Sequence, residues 1–533
     1  MNQTEIKKKQ LLLFIRIFGL VTILLLINLI GNLGMVYFAA SLELYLLLCT
    51  VFIDHVPEYM EKMVRCRMGK EQYRNADKVS KTVMIYCLVA GLLISLLLFL
   101  ISDLVASNVF LMKEAAIVLK MLAPAFFFSA LGAALQGYFQ GMGSAMPSII
   151  YHVVKQLFSL TFSLLFGYIL LQYGKNVSAL LQNDHYTKMY GAAGVALGVT
   201  VAAVLADLFL FIIYIGAGRR ARNKKQDGMR LTEDGLEVGK QFIRSMLPAS
   251  AYNAILRFPI LIGLLFYVRK LGNDESLYGA FYVQYLVMCG ILIYGALLLI
   301  MNKESVLIHL VKREEIKNAK NYLTSGIQAL LIFTCFFASM TFVLSSSLLK
   351  VLFSDQTFTD QITKSMQLGA VIIILFPISQ YIAGILIGIG KKRTAFTNVL
   401  ISLMLSVVAV MSCAPIIKND ILAIVIGFVV FSLIDCLLNA FFLFRILHYS
   451  PDWLRGIVLP VLASLITGAC VFLLRNSLVA LTGDFLAMMI GLLIGSFCYM
   501  ILLFVSKCIR EKDLSLIPCG EAIRKIGRIL HLI

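Results

Sequence analysis

Charge is scarce in this sequence of 533 residues: Asp, Glu, Lys and Arg make up 14% of it, against about 25% in an ordinary soluble domain. With 60% of residues hydrophobic, a larger core cannot explain the deficit, because even a large soluble protein must cover its surface with polar groups. The same figures exclude disordered and collagen-like chains. Tryptophan occurs once and histidine six times, with no HExxH. The eleven cysteines lie far apart, mostly inside apolar runs, with no CxxC pair and no Cys/His cluster at metal spacing. A disulfide scaffold and a thiolate metal site are thereby excluded, and such thiols pack as small hydrophobes. What the sequence has instead is long apolar runs, and they make it a polytopic membrane protein.

Crossing a bilayer by helix takes about 20 apolar residues. Fourteen windows meet that need: 11–30, 35–55, 82–102, 116–140, 148–171, 189–216, 245–268, 279–301, 322–349, 366–390, 394–417, 420–444, 456–474 and 485–506. Met366–Gly390 and Thr394–Ile417 contain no charged residue at all. Between the first two windows only Gly31-Asn32-Leu33-Gly34 marks a turn. None shows the period-2 alternation of a barrel wall, so the expected fold is all-α. Lys7-Lys8-Lys9 precede a segment long enough to span and no small-residue cleavage site follows, so no cleavable signal peptide is expected.

An even helix count puts both ends on one side. Alternate loops, starting from the N-terminus, hold 34 of the 47 Lys and Arg, and the opposite set holds ten. The bias predicts cytoplasmic termini and accounts for most of the +18 net charge without nucleic acid. A reporter fused after Gly228 is expected to read cytoplasmic and one after Asn183 extracellular; both on the same side would refute this arrangement.

The sequence also repeats. Gly137-Tyr138-Phe139-Gln140-Gly141-Met142-Gly143 ends the fourth window, and Gly384-Ile385-Leu386-Ile387-Gly388-Ile389-Gly390 ends the tenth, 247 residues on. Leu205-Ala206-Asp207-Leu208 in the sixth resembles Leu433-Ile434-Asp435-Cys436 in the twelfth at an offset of 228. The shorter loop before the twelfth accounts for the difference. The expected organisation is a six-helix lobe (1–216), a basic cytoplasmic linker (217–244), a second six-helix lobe (245–447), two added helices (448–506) and a cytoplasmic tail (507–533). Parallel duplications of this kind are a common build for alternating-access transporters. In the tail, Ile523, Ile526, Leu530 and Ile533 share one helical face opposite Arg524, Lys525 and Arg528; it could lie on an anionic leaflet or remain solvated.

Val118-Leu119-Lys120-Met121-Leu122-Ala123-Pro124-Ala125-Phe126-Phe127-Phe128, running on to Gln136-Gly137-Tyr138-Phe139-Gln140-Gly141-Met142 and Met146-Pro147-Ser148, closely resembles the fourth-helix signature of the stage V sporulation protein B branch of the polysaccharide flippases. Gly191-Ala192-Ala193-Gly194-Val195-Ala196-Leu197-Gly198 is similar to that family's sixth-helix start. The wider group is the multidrug, oligosaccharidyl-lipid and polysaccharide exporter superfamily. The resemblance implies a secondary transporter of the bacterial cell (inner) membrane, a monomer without cofactor, moving a polyprenyl-pyrophosphate-linked saccharide for cell-wall or surface polysaccharide. Na⁺ or H⁺ coupling is compatible with it. Two departures stand out. Gln136 occupies a position where the family usually has Arg, and Lys155, in Tyr151-His152-Val153-Val154-Lys155-Gln156, one where it usually has Glu.

Charges within spanning helices usually face a cavity or a partner. Arg16, Lys155 and Arg257 could bind a pyrophosphate head, Arg as a bidentate fork and Lys as a point charge; each could instead snorkel to the interface. Arg257 lies about 12 residues into its helix, near mid-bilayer at about 1.5 Å per residue. His152, three residues before Lys155 on the same face, could join them or simply pack. Asp207 and Asp435 occupy matching places in the two lobes and could hold a coupling ion, pair with these cations or bond between helices. Glu43, near the outer end of its window, reads as interfacial. Prolines 124, 259 and 377 suit bending helices and identify no substrate. The leading expectation is a flippase with a cationic cleft between two lobes; the alternative is a cation-coupled exporter of amphipathic drugs or metabolites with the same fold. A membrane glycosyltransferase needs acids or metal ligands in sizeable loops, and loop 172–188 offers only Asp184 beside His185.

Overall fold

The computed structural model describes residues 3–222, 233–271, 275–353, 357–417, 420–506 and 508. Most of the basic linker and the amphipathic tail therefore lie outside the described residues. The chain is helical: α1 (Gln3–Phe52), α2 (Val56–Met68), α3 (Tyr73–Leu104), α4 (Ala115–Gly141), α5 (Met146–Leu181), α6 (His185–Arg222), α7 (Gly235–Phe266), α8 (Glu275–Phe281), α9 (Met288–Lys312), α10 (Ile316–Leu352), α11 (Thr359–Gly369), α12 (Ile372–Gly388), α13 (Lys392–Cys413), α14 (Asp420–Leu447) and α15 (Leu459–Val505).

Among the described residues, eleven helical stretches are long and apolar enough to cross a membrane, and the bent pair α11 and α12 makes a twelfth. Two of these, Phe18–Met68 and Trp453–Val505, have 51 and 53 residues. At about 1.5 Å per residue each is more than twice the thickness of a bilayer core. Each is broken by a glycine in a left-handed conformation, Gly31 at φ 73° and Gly483 at φ 78°, which other residues adopt only with strain. Counted as two crossings each, they bring the total to about fourteen. The Gly31 break falls at the turn marked in the sequence.

Contacts divide the chain into two compact units, Met1–Tyr282 and Val283–Ile533. The duplication is visible inside each. In the first, the amides of Met142, Gly143 and Ser144 bond to the carbonyls of Tyr138, Gln140 and Phe139; in the second, Ile389, Gly390 and Lys391 bond to Ile385, Ile387 and Leu386. Every partner is displaced by the same 247 positions, and Gly143 and Gly390 share φ values of 87° and 89°. The turns at Glu71 and Glu314 also match, at an offset of 243, with φ 60° and 63°. The glycine motif also has one mechanical meaning in both units. Gly137 and Gly141 lie against Met60 and Val64, and Gly384 and Gly388 against Glu304 and Ile308. The missing side chains let α4 and α12 approach a neighbouring helix closely, as small residues do in membrane bundles.

Among the described residues, the most extensive crossing is between α5 and α6. A Cβ at Gly194 would meet the backbone of Phe166 and Gly167, and one at Gly198 the backbone of Phe162 and Ser163. The Gly/Ala run of α6 is thus the stripe on which α5 rests. This contact fixes Lys155 on α5 relative to Asp207 on α6.

Candidate functional site

Within the first unit, polar groups gather along the half of α1 that follows Gly31. Gly279 lets α8 approach the backbone of α1 at Asn32, and Tyr282, one residue beyond α8, then reaches Glu43. Its hydroxyl donates to Glu43 Oε1 at 2.6 Å. Glu43 is only 6% exposed, so the residue the sequence placed at the interface is buried among helices. Arg257 comes from α7. Its Nη1 lies 3.7 Å from Glu43 Oε2, and its Nε donates to Thr50 Oγ1 at 2.8 Å. Thr50 in turn donates to Asp54 Oδ2 at 2.9 Å. One turn nearer the start of α7, Asn253 bonds to His55 Nε2 at 2.7 Å. The Arg257 side chain keeps 32% of its surface exposed.

A second group forms where α4, α5 and α6 meet α1. Lys155 Nζ donates to Ser129 Oγ at 3.0 Å, and Ser129 Oγ is 2.9 Å from the Tyr45 hydroxyl. The Lys155 ammonium lies 5.8 Å from the centre of the Tyr151 ring and within electrostatic reach of Asp207. Asp207 is buried against the Tyr151 hydroxyl and the backbone of Gly132. Neither of its oxygens has a well-aligned hydrogen bond. It also lines an apolar groove of about 410 Å³ bounded by α3, α4 and α6. Lys155 reaches Tyr45 through Ser129 and Arg257 reaches Glu43 and Thr50, so the structure brings these two cations to one stretch of α1.

Asp435 has other company. In the second unit Ser379 Oγ donates to Asp435 Oδ2 at 2.5 Å, Asn439 Nδ2 to Asp435 Oδ1 at 3.1 Å, and Asn398 Nδ2 to Asn439 Oδ1 at 2.9 Å. Applying the repeat offset, Ser379 is the counterpart of Gly132 and Asn398 that of Tyr151. The duplicated positions build the same three-helix junction, with a lysine beside the acid in one unit and neutral amides and a hydroxyl in the other. Ser402 occupies the position of Lys155.

Of the remaining candidates, Arg16 lies outside the described side chains. His152 is exposed, its ring edge-on to Tyr151 at 5.3 Å. Among the described residues, no cluster of three or more His, Cys, Asp or Glu is placed to hold a metal ion. Sequence reasoning missed Glu43 and Thr50 as partners of Arg257, and Tyr282 and Asp54 as the residues that hold them. A spacing of seven between Glu43 and Thr50, two helical turns on one face, was the available signal.

No protein-family model matches the chain, and no curated protein sequence is detectably similar to it. Solved structures are similar. The lipid II flippase MurJ in an inward closed conformation shares 15% identity at a TM-score of 0.69, covering 94% of this chain and 98% of its own. An inward-facing multidrug resistance MATE family transporter of the MOP superfamily shares 15% identity at a TM-score of 0.57, covering 83% and 95%. The eukaryotic MATE transporter AtDTX14 shares 15% at 0.57, covering 86% and 99%. At such identities the likeness establishes the fold: this chain is a polytopic helical membrane protein with the architecture of the MurJ and MATE structures.

Proposed function

We propose that this protein is a secondary transporter that flips a lipid-linked saccharide carrying a pyrophosphate head across the membrane by alternating access. The observation that carries the proposal is the pair of cations, Arg257 and Lys155, held at one stretch of α1 within the spanning segments while Arg257 stays partly exposed. A guanidinium there offers phosphate a planar fork, and the ammonium adds a second positive charge. The likeness to a lipid II flippase over 94% of the chain supports the reading. Arg16 and His152 stay proposed contributors, and the bacterial inner membrane with cytoplasmic termini stays the proposed location. The two-lobe division at 217–244 and a monomeric carrier belong to the same proposal.

The test is transport by the purified protein in vesicles that contain a fluorescent polyprenyl-pyrophosphate saccharide. Protein-dependent movement between leaflets is expected. The rival reading, a cation-coupled exporter of amphipathic compounds, is favoured by the buried acids Asp207 and Asp435 and by the MATE likeness. Transport of organic cations with no movement of the lipid would select it.

Coupling is tested at the acids. If Asp207 takes part, Asp207→Asn is expected to abolish dependence of transport on an ion gradient while the protein still folds. Asp435→Asn, inside a network already satisfied by neutral partners, is expected to change stability more than gradient dependence. Unaltered gradient dependence in both variants would leave the acids a structural role.

A further inference from the structure

The charge that faces Arg257 is Glu43, and a pyrophosphate that takes the guanidinium must displace it. We propose that Glu43 is the proton-accepting partner of Arg257: anion binding at Arg257 is accompanied by proton uptake on Glu43. This rests on the reading of Arg257 as the anion-binding cation.

The geometry makes the two partners unequal. Glu43 is fixed, with Oε1 held by the Tyr282 hydroxyl at 2.6 Å and the side chain 8% exposed. Arg257 is the adaptable one, 32% exposed, with its ion pair at 3.7 Å longer than a direct charge-assisted hydrogen bond. A ligand approaching the exposed side of the guanidinium can engage it, whereas the buried carboxylate cannot follow. Once Arg257 is neutralised by pyrophosphate, Glu43 is a buried anion beside a second anion. An uncompensated charge in such surroundings is strongly disfavoured and is relieved by protonation. The new O–H bond forms at Oε2, the oxygen that faced Arg257, and the proton comes from water or buffer. Tyr282 continues to donate to Oε1, so no hydrogen bond is lost.

Several groups on neighbouring elements face Glu43. Arg257 comes from α7, and Tyr278 and Tyr282 from α8 and the residue after it. Lys155, from α5, reaches α1 at Tyr45 through Ser129, and Asp207, from α6, lies against Tyr151 and Gly132. Asp54, which Arg257 reaches through Thr50, is exposed and keeps its hydration when the arginine turns to a ligand. Glu43 is the acid that must respond.

The experiment is calorimetric binding of a short-chain prenyl pyrophosphate to the full-length protein in lipid nanodiscs, in two buffers of different ionisation enthalpy. Wild type is expected to take up as much as one proton per bound probe and to bind more weakly as pH rises. Glu43→Gln, which keeps an acceptor for Tyr282, is expected to bind at least as tightly and to lose that uptake, so it also subtracts the probe's own ionisation. Binding by wild type without proton uptake overturns the proposal, as does uptake that persists in Glu43→Gln. Should that variant not fold, Tyr282→Phe is expected to shift the pH dependence of binding, and an unshifted profile counts against Glu43. Absence of any binding to wild type rejects the Arg257 reading itself, and is distinguished by the missing heat.

Discussion

Replacing Arg257 by Gln is expected to weaken binding of a lipid-linked pyrophosphate by about one to two orders of magnitude. The loss corresponds to one charge-assisted contact of about 1.5–3 kcal/mol at about 1.4 kcal/mol per decade. Gln keeps polarity and much of the length, so the Thr50 contact can partly survive, but the fork is gone. Arg257→Lys should recover part of the affinity, because charge returns without bidentate geometry. The single variant has a second consequence: it leaves Glu43 buried with no counter-charge, which destabilises the fold independently of any ligand. The double variant Glu43→Gln with Arg257→Gln separates the two effects. It should recover thermal stability in detergent while binding stays weak. If Arg257→Gln and Lys155→Gln both bind and flip the probe normally, the cationic site is wrong and the exporter reading becomes the better one.

The largest structural effect is expected at the α5–α6 crossing. Gly198→Val should lower stability by at least the upper end of the roughly 1–3 kcal/mol typical of overpacking, because the nearest atoms the new side chain meets are backbone atoms of Phe162 and Ser163, which cannot rotate away. The helices must separate, and with them Lys155 and Asp207. Gly194→Val should behave likewise, its added atoms meeting Phe166 and Gly167. The contrast is Gly216→Ala on the same helix. Among the described residues nothing lies within 4 Å of a Cβ at that position, and Ala gains about 0.5–1 kcal/mol of helix propensity over Gly. Thermal midpoints of the purified variants check the ranking; equal losses at positions 198 and 216 would refute the packing argument.

Much of the architecture was legible because a bilayer makes strict demands. A helix must be long and apolar to cross, and a repeated glycine pattern betrays a repeated close approach. The Gly137/Gly384 match, weak as a string, became firm when the hydrogen bonds of both turns proved to be displaced by one constant. The partner of Arg257 was not legible. Spanning helices with so few polar residues carry little information on which face turns inward, so the rotation that brings Glu43 to Arg257 is fixed by contacts between distant helices. Gly279 on Asn32 is one such contact, and nothing local to Glu43 announces it. The different surroundings of the two acids were illegible for a similar reason. Asp207 and Asp435 match along the chain, but their surroundings come from other helices, where Lys155 and Ser402 have diverged.

The pairing of Arg257 and Lys155 with nearby acids has an electrical consequence. One elementary charge moved across the full membrane field exchanges about 2.3 kcal/mol per 100 mV. Arg257 facing Glu43, and Lys155 within reach of Asp207, carry almost no net charge when moved together. Movement of these two pairs without cargo is therefore nearly insensitive to voltage, and a voltage dependence arising at this site reports the charge of what is bound.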